Sequence, residues 1–264
     1  MAVRRIEDIK PTGIASDVWV GSYDEAKQEM ERCGFREINL AVNAKLRREQ
    51  GKGAYVSKNG NWTSADFLIL PGKNPRLTRS SVISAFAKQA TEASRTGKFY
   101  LDTSELKEAY EKALEDSVEI DATRINTHQF NKSKIATYAF GTTCGENIEQ
   151  DEEDARLYGE FLSDIISEMP IILPNSESKP FARKVWFRRL DGLNRSALCG
   201  NVRYLYDDLN RVRGVCEKSA EGTLQKNSGS LDNRVQGALN EGKAFEFKGI
   251  VYVPTTGKGI SLEQ

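Results

Sequence analysis

The sequence has 264 residues, 39% of them hydrophobic and 29% charged. This is enough apolar chain for one large folded domain, or a domain with an extension, and it excludes a chain that is disordered throughout. The 38 basic residues balance the 38 acidic ones, so binding of nucleic acid would need a local basic patch. The longest apolar runs, such as residues 67–70, are far shorter than the roughly 20 residues of a membrane helix, so we expect no membrane insertion.

The N-terminus and the use of cysteine and histidine narrow the class of protein further. No apolar stretch follows Arg4 and Arg5, so no secretory signal is expected and the cellular location stays open. The four cysteines, at positions 33, 144, 199 and 216, include no C-x-x-C pair, and His128 is the one histidine. We therefore expect free thiols, no bound metal, no cofactor and no enzymatic activity.

The first half of the sequence predicts mainly helices. Ser22 and Glu25 have the spacing of a capping box at the first of them. Strands at 54–57 and 62–70 flank Asn59-Gly60, the strongest short hairpin signal in the chain. Helices with an apolar face are expected at residues 23–33, 40–48, 81–94 and 104–116.

An acidic segment at 146–154 marks the start of a further helix, since carboxylates are favoured near a helix N-terminus. We expect Leu157, Phe161, Ile165 and Ile166 to face inward from this helix. The segment lacks the D-x-D-x-D-G spacing of a calcium-binding loop, so a metal site is not expected there.

The rest of the chain alternates like β-sheet before it becomes polar. Strands are expected at 169–174, from Lys184 onward and at 211–215. The segment 217–229 is rich in Gly, Ser and Lys and is typical of a linker or a long loop. Beyond it we expect a helix at 231–240 and a hairpin-like stretch at 245–254.

The stretch 184–215 contains three recognisable pieces. Residues 185–188 read Val-Trp-Phe-Arg, residues 195–203 read Arg-Ser-Ala-Leu-Cys-Gly-Asn-Val-Arg, and residues 210–215 read Asn-Arg-Val-Arg-Gly-Val. In this order they resemble the C-terminal core of the C-type lectin fold, in the subgroup that includes formylglycine-generating-enzyme-like domains. Within that fold, the stretch is most similar to the variable proteins of diversity-generating retroelements.

The resemblance implies an α+β chain with a C-type lectin-like fold, in which early helices pack on a twisted, mainly antiparallel sheet formed by the later strands. It implies a domain at 1–216, with insertions and a variable stretch at about 184–215. Family members often end at the variable stretch, whereas this chain continues to Gln264. We expect residues 217–264 to form a C-terminal extension packed on the same domain.

The same resemblance implies a function. In such proteins an error-prone reverse transcriptase rewrites adenine-containing codons, so that surface residues vary while interleaved residues hold the scaffold. The residue types agree, because a mixture of Arg, Tyr, Asn and Asp is typical of a binding surface. We therefore expect a non-enzymatic protein that binds diverse macromolecules, with proteins as the expected class.

The residues expected to contact the ligand are Arg188, Arg189, Asp191, Leu193, Asn194, Cys199, Asn201, Arg203, Tyr204, Tyr206, Asp208 and Asn210. Of these, Arg189, Tyr204 and Tyr206 are expected to contribute most of the binding energy. The residues expected to support them are Trp186, Phe187, Leu198, Gly200, Leu205 and Val212. Gly200 and Gly214 are expected to serve the backbone conformation.

Other functions compete with this one. A formylglycine-generating-enzyme-like oxidoreductase would need copper held by two cysteines, and Cys199 and Cys216 lie in the matching half of the chain. A fixed-sequence lectin-like module would keep residues 188–210 constant. The arginines and aromatic residues of this stretch also suit nucleic acid, but acidic residues lie among them. Calcium-dependent sugar binding is not expected, because neither E-P-N nor W-N-D occurs.

Overall fold

The computed structural model describes residues 3–7, 14–96, 99–175, 177–191, 196–201, 205–217, 245–247, 250–255 and 259–262. The chain divides into two compact units, Met1–Thr223 and Leu224–Gln264. The first unit contains the described helices and most of the described strands. In the second unit, strands at Phe245–Phe247, Ile250–Thr255 and Gly259–Leu262 form a three-stranded antiparallel sheet. The hairpin expected at 245–254 is therefore confirmed, while the helix expected at 231–240 lies outside the described residues.

The helices of the first unit mostly begin at side chains that cap them. Asn39 accepts a hydrogen bond from the Val42 N–H, and Asn147 accepts one from the Gln150 N–H, which satisfies amide groups that a helix start leaves open. The described α-helices are α1 (Tyr23–Arg32), α2 (Leu40–Gln50), α3 (Tyr55–Lys58), α4 (Val82–Ala85), α5 (Ala87–Ser94), α6 (Ser104–Glu115), α7 (Lys134–Phe140) and α8 (Ile148–Ser163), and a 3-10 helix spans Thr127–Lys132. In these residues, no helix combines the length and the hydropathy needed to cross a bilayer.

Strands from both ends of the first unit share one sheet. The described strands are β1 (Arg4–Glu7), β2 (Ile14–Val20), β3 (Arg36–Glu37), β4 (Asn61–Ile69), β5 (Arg76–Thr78), β6 (Phe99–Tyr100), β7 (Ser117–Glu119), β8 (Arg124–Asn126), β9 (Glu168–Ile172), β10 (Phe181–Phe187), β11 (Leu198–Cys199), β12 (Arg211–Glu217), β13 (Phe245–Phe247), β14 (Ile250–Thr255) and β15 (Gly259–Leu262). The sheet order is β1-β2-β12-β4-β10-β11-β9-β8. Its pairs are antiparallel except β12 with β4 and β11 with β9.

The expected α+β class with a mainly antiparallel sheet is confirmed. The early strands β2 and β4 enter the same sheet as the late strands β10 and β12 and alternate with them. The expectation that the later strands form this sheet is therefore wrong in part, because the N-terminal part of the chain contributes to its centre as well as to the helices that cover it.

The central strands are buried on both faces. In β4, Ala65, Phe67 and Ile69 belong to one core cluster, and Trp62 and Leu68 belong to another. Helices α2, α7 and α8 contribute to the first cluster, while α1, α4, α5 and α6 contribute to the second. Since both faces of these strands are covered, a ligand can contact the sheet only at strand ends and loops.

Two predicted elements of the first half are wrong. Residues 55–58 form the short helix α3 instead of one arm of a hairpin, because the Ala54 carbonyl accepts hydrogen bonds from the N–H groups of Ser57 and Lys58. The helix expected at 81–94 is interrupted at Phe86, whose φ of −119° and ψ of 40° are not helical.

Two further predictions need smaller corrections. Ser22 begins α1 without capping it, since its hydroxyl donates to the Glu25 carboxylate instead. In α8, the fully buried large residues are Tyr158 and Leu162. Phe161, Ile165 and Ile166 pack partly buried against the same core cluster, so the inward face is rotated relative to the predicted one.

Candidate ligand-binding face

Strand β10 leads into the predicted site. Val185 and Phe187 are buried in one core cluster, whereas Trp186 between them is partly buried beside the other. A β-bulge relative to β4 lies just before Trp186, and such bulges re-aim the side chains that follow. Arg188 and Arg189 come directly after the strand, so their side chains lie at its end and outside the core.

After β10 the chain forms a loop, and residues 196 and 197 at the end of this loop lie beside residues 188 and 189 at its start. The Arg188 N–H donates to the Ala197 carbonyl at 3.0 Å, and the Ser196 N–H donates to the Arg189 carbonyl at 2.9 Å. Ser196 has a φ of 54° and is fully buried, which is an uncommon backbone conformation for a residue other than glycine. Residues 192–195, between these bonds, lie outside the described residues.

Buried side chains hold Ser196 in place at the end of this loop. The Tyr158 and Ser196 hydroxyl groups are 2.8 Å apart, and the guanidinium of Arg47 lies 3.7 Å from the centre of the Phe187 ring. Burial raises the pKa of Tyr158 and lowers the pKa of Arg47. Arg47 belongs to α2 and Tyr158 to α8, so these two helices hold the base of the predicted variable stretch in place.

Gly200 and Gly214 are required because core side chains occupy the space that a Cβ would need at either position. A Cβ on Gly200 would lie 2.5 Å from the Phe67 ring, and one on Gly214 would lie 2.7 Å from both Met30 and Trp19. Neither glycine has the positive φ that would require glycine for its conformation. The predicted conformational role is therefore replaced by a steric one, since a side chain would have to displace the core.

The structure sorts the predicted ligand contacts by exposure. Arg189, Asp191, Asn201 and Asp208 are exposed, and Arg188 and Tyr206 are partly buried. Leu193, Asn194, Arg203 and Tyr204 lie outside the described residues. The predicted supporting residues Phe187, Leu198, Leu205 and Val212 are buried. We call the six accessible residues, Arg188, Arg189, Asp191, Asn201, Tyr206 and Asp208, the candidate face.

Cys199 and Asn210 are corrections to the predicted contacts. Cys199 is 1% exposed in β11, where it lies opposite Trp186 in the strand pairing with β10. Asn210 is 6% exposed, and its amide group donates to the Leu205 carbonyl at 2.9 Å to close the turn before β12. Neither side chain is available to a ligand, so the candidate face excludes both.

Two features near Asp208 were not foreseen from the sequence. The guanidinium of Arg95 lies 4.9 Å from the centre of the Tyr206 ring, so this tyrosine already has a cationic neighbour from the end of α5. Leu209 is 74% exposed, although an apolar residue is normally assigned to the core from sequence. An exposed leucine beside the candidate face favours contact with an apolar surface of a ligand.

A cleft of about 550 Å³ brings part of the candidate face together with residues from elsewhere. Its described lining consists of Lys58, Asn59, Gly60, Trp186, Arg188, Arg189 and Arg211. Asn201, Tyr206 and Asp208 are not among these residues. The sequence pattern assigned residues 58–60 to a hairpin turn and Arg211 to a strand, so their part in the cleft was missed. The start of β12 beside the end of β10 is a consequence of tertiary structure alone.

A second charged cluster lies inside the protein, away from solvent. The Lys184 ammonium is 3.2 Å from the Glu37 carboxylate and 3.8 Å from the Asp66 carboxylate, and these three side chains are at most 5% exposed. Burial raises the pKa of Asp66, while Lys184 and hydrogen bonds from the Ile83 N–H and the Ser81 hydroxyl oppose that rise. A ligand cannot reach these groups, so the cluster is structural.

The cysteines do not form disulfides with one another. Cys199 is buried, Cys33 and Cys216 are partly buried, and Cys144 is exposed. Within the described ranges, no group of three or more His, Cys, Asp or Glu side chains is placed to hold a metal ion.

Comparison with known proteins identifies the fold. No protein-family model and no curated protein matches the sequence. The structure is similar to a solved one described as the accommodation of massive sequence variation in Nanoarchaeota by the C-type lectin fold, with a TM-score of 0.51 and 13% sequence identity, over 78% of this chain and 97% of the other. The chain has a C-type lectin fold. In this C-type lectin fold, the candidate face lies on the late strand ends and the loops between them.

Proposed function

We propose that this protein is a non-enzymatic binding protein that recognises macromolecules, chiefly proteins, through the candidate face. The observation that carries the proposal is the division of residues 185–212 into buried and accessible positions. Phe187, Leu198 and Val212 are fully buried, while Arg189, Asp191 and other polar residues between them are exposed. Exposed positions on a packed core can change without unfolding the protein.

We further propose that a retroelement reverse transcriptase diversifies this face. The solved structure that resembles this chain is described in terms of massive sequence variation, and the three pieces within 184–215 resemble retroelement variable proteins. A fixed-sequence lectin-like module and a formylglycine-generating-enzyme-like oxidoreductase are the competing functions.

The DNA around the coding sequence tests diversification directly. A near-copy of the segment encoding residues 184–215 that differs only at adenines, beside a reverse transcriptase gene, is the expected result. The differing codons would then identify the variable residues. If no such copy exists, the fixed-sequence module becomes the better explanation and diversification is excluded.

Tolerance of the face to substitution is a separate test of the proposal. The combined change Arg189→Ser, Asp191→Ala, Asn201→Ser and Asp208→Ala should lower the free energy of unfolding by less than about 1 kcal/mol, because all four side chains are exposed. The buried control Leu205→Ala should cost about 2–5 kcal/mol. Chemical denaturation measures both. Unfolding of the fourfold variant would mean that these residues support the fold and are not free to vary.

A further inference from the structure

The cleft beside Trp186 collects positive charge from three separate parts of the chain. Lys58 ends α3, Arg188 and Arg189 follow β10, and Arg211 begins β12. No Asp or Glu is among the described residues that line the cleft. The whole chain has a formal net charge of zero, so these cations are a local concentration and not part of a general basic surface.

One wall of the cleft is held rigidly. The Trp186 ring lies so close to Gly60 that a Cβ there would be 2.5 Å from the indole Nε1. On another side, its ring centre is 5.0 Å from that of the buried Trp62, with an angle of 78° between the planes. A side chain held in this way loses little freedom when a ligand binds, so less of the binding energy is lost to ordering.

The positively charged side chains of the cleft differ in the partners that the protein itself provides for them. The Arg189 Nε is 3.6 Å from the Asp191 carboxylate, but both side chains are more than 60% exposed, and such a pair is weak. The Arg211 Nε is buried and has no hydrogen-bond partner in the described part of the chain. A buried donor without a partner is costly, and a charged acceptor from a ligand would satisfy it.

We propose that this cleft binds neighbouring carboxylate side chains of an acidic segment in a partner protein. The inference rests on the proposed function, because it gives the ligand chemistry of the same face. A volume of about 550 Å³ suits one or two side chains better than a polymer. The exposed Asp191, whose carboxylate lies 3.6 Å from the Arg189 Nε, repels an extended polyanion such as nucleic acid. Lys58 lies outside the stretch proposed to vary, so part of the positive charge is common to every version of the face.

A dye-labelled synthetic peptide, Gly-Glu-Glu-Tyr-Glu-Glu-Gly, is the probe, and the same peptide with Gln for Glu is its control. Fluorescence anisotropy with the full chain should show binding of the Glu peptide that weakens as salt is added, and little binding of the Gln peptide. Lys58→Gln with Arg189→Gln should weaken binding about tenfold, and both side chains are exposed, so the fold is retained. Lys88→Gln with Lys107→Gln removes the same charge from exposed positions on α5 and α6 and should leave binding unchanged.

The inference would be overturned by no binding of the Glu peptide, by equal binding of the Gln peptide, or by equal loss in the two double variants. Tighter binding of inorganic phosphate or of an oligothymidylate than of the Glu peptide would also overturn it, because the cleft would then serve phosphate. Binding of the peptide without a DNA near-copy would retain the cleft and exclude diversification. A near-copy without peptide binding would retain diversification and exclude the acidic ligand.

Discussion

Tyr110 and Tyr158 show how two buried residues of one type can differ in what they contribute. The Tyr158 hydroxyl has the Ser196 hydroxyl at 2.8 Å, and through it α8 is tied to the predicted variable stretch. The Tyr110 hydroxyl is buried with no hydrogen-bond partner among the described residues. Burial raises the pKa of Tyr110 to about 12, although the Arg76 charge opposes the rise.

Replacement of each tyrosine by phenylalanine should therefore have different effects. Tyr158→Phe should cost about 1–2 kcal/mol of unfolding free energy, because it leaves Ser196 and Arg47 with fewer buried partners, whereas Tyr110→Phe should cost nothing or stabilise slightly. Chemical denaturation at neutral pH measures the difference. Equal losses in the two variants would show that the Tyr110 hydroxyl has a partner after all.

The raised pKa of Tyr110 leads to a prediction at alkaline pH. The folded protein keeps the Tyr110 proton up to a pKa of about 12, while the unfolded chain releases it near a pKa of about 10. The folded state therefore binds more protons over this window, so the wild-type protein loses stability as the pH rises through it. The Tyr110→Phe variant should lose less, as denaturation at a series of alkaline pH values would show.

At the scale of elements, the segment from α3 to β4 shows why a turn motif is a weak guide. Asn59-Gly60 has the composition of a two-residue hairpin, yet it connects a helical turn to a central strand. Gly60 is needed there because the Trp186 ring occupies the space where a Cβ would project. Because Gly60 has no side chain, Trp186 of β10 can pack against the residues that follow α3, and both residues line the cleft.

Gly60→Ala should disturb the cleft from its base. The added methyl group would force the Trp186 ring out of its position, at a cost of about 1–3 kcal/mol. The change should alter the tryptophan emission spectrum and weaken binding of the acidic peptide. Gly53→Ala is the matched control, since nothing lies within 4 Å of its Cβ position. If the two variants have the same stability and emission, Trp186 is not held by Gly60.

At the scale of the whole molecule, a buried ionic cluster ties together elements that are distant in sequence. Lys184 of β10 contacts Glu37 of β3 and Asp66 of β4, and its ammonium also donates to Ser81 at the start of α4. Removal of one member of such a cluster leaves buried charge without compensation. The cluster therefore holds the early strands against the strand that leads into the candidate face.

Lys184→Met should cost about 3–5 kcal/mol at neutral pH. The variant lacks the cation that lowers the pKa of Asp66, while burial still raises that pKa. Its folded state then binds a proton more tightly than the unfolded chain, so its stability should increase as the pH falls from neutral toward the unfolded value of about 4. Denaturation at neutral and mildly acidic pH measures the change.

Two further variants control this prediction. Lys179→Met removes an exposed lysine that lies 3.8 Å from the exposed Asp102, and it should change stability by less than about 0.5 kcal/mol. Lys184→Met combined with Glu37→Gln and Asp66→Asn removes all three charges and should recover stability even if the single variant fails to fold. A single variant that is as stable as the wild type would show that the cluster does not stabilise the fold.

The long amphipathic helices and the alternating strands could be predicted from residue order, because their periodicity records which face is buried. The bounds of α1, α2 and α6 agree closely with the prediction, and the strand from Lys184 was found from its alternation. The α3 turn and the break at Phe86 could not be predicted in this way. Their conformations depend on backbone and side-chain contacts that local periodicity does not encode.

By itself, the sequence determined that polar and aromatic residues are interleaved with apolar ones over 188–210, since the order of the residues shows that alternation directly. It could not show that Cys199 and Asn210 are buried, because burial depends on which strands pair on either side. Nor could it show that Lys58 and Arg211 join Arg188 and Arg189 around one cleft. Lys58, the Arg188–Arg189 pair and Arg211 are far apart in the chain, and only the order of strands in the sheet brings their charges together.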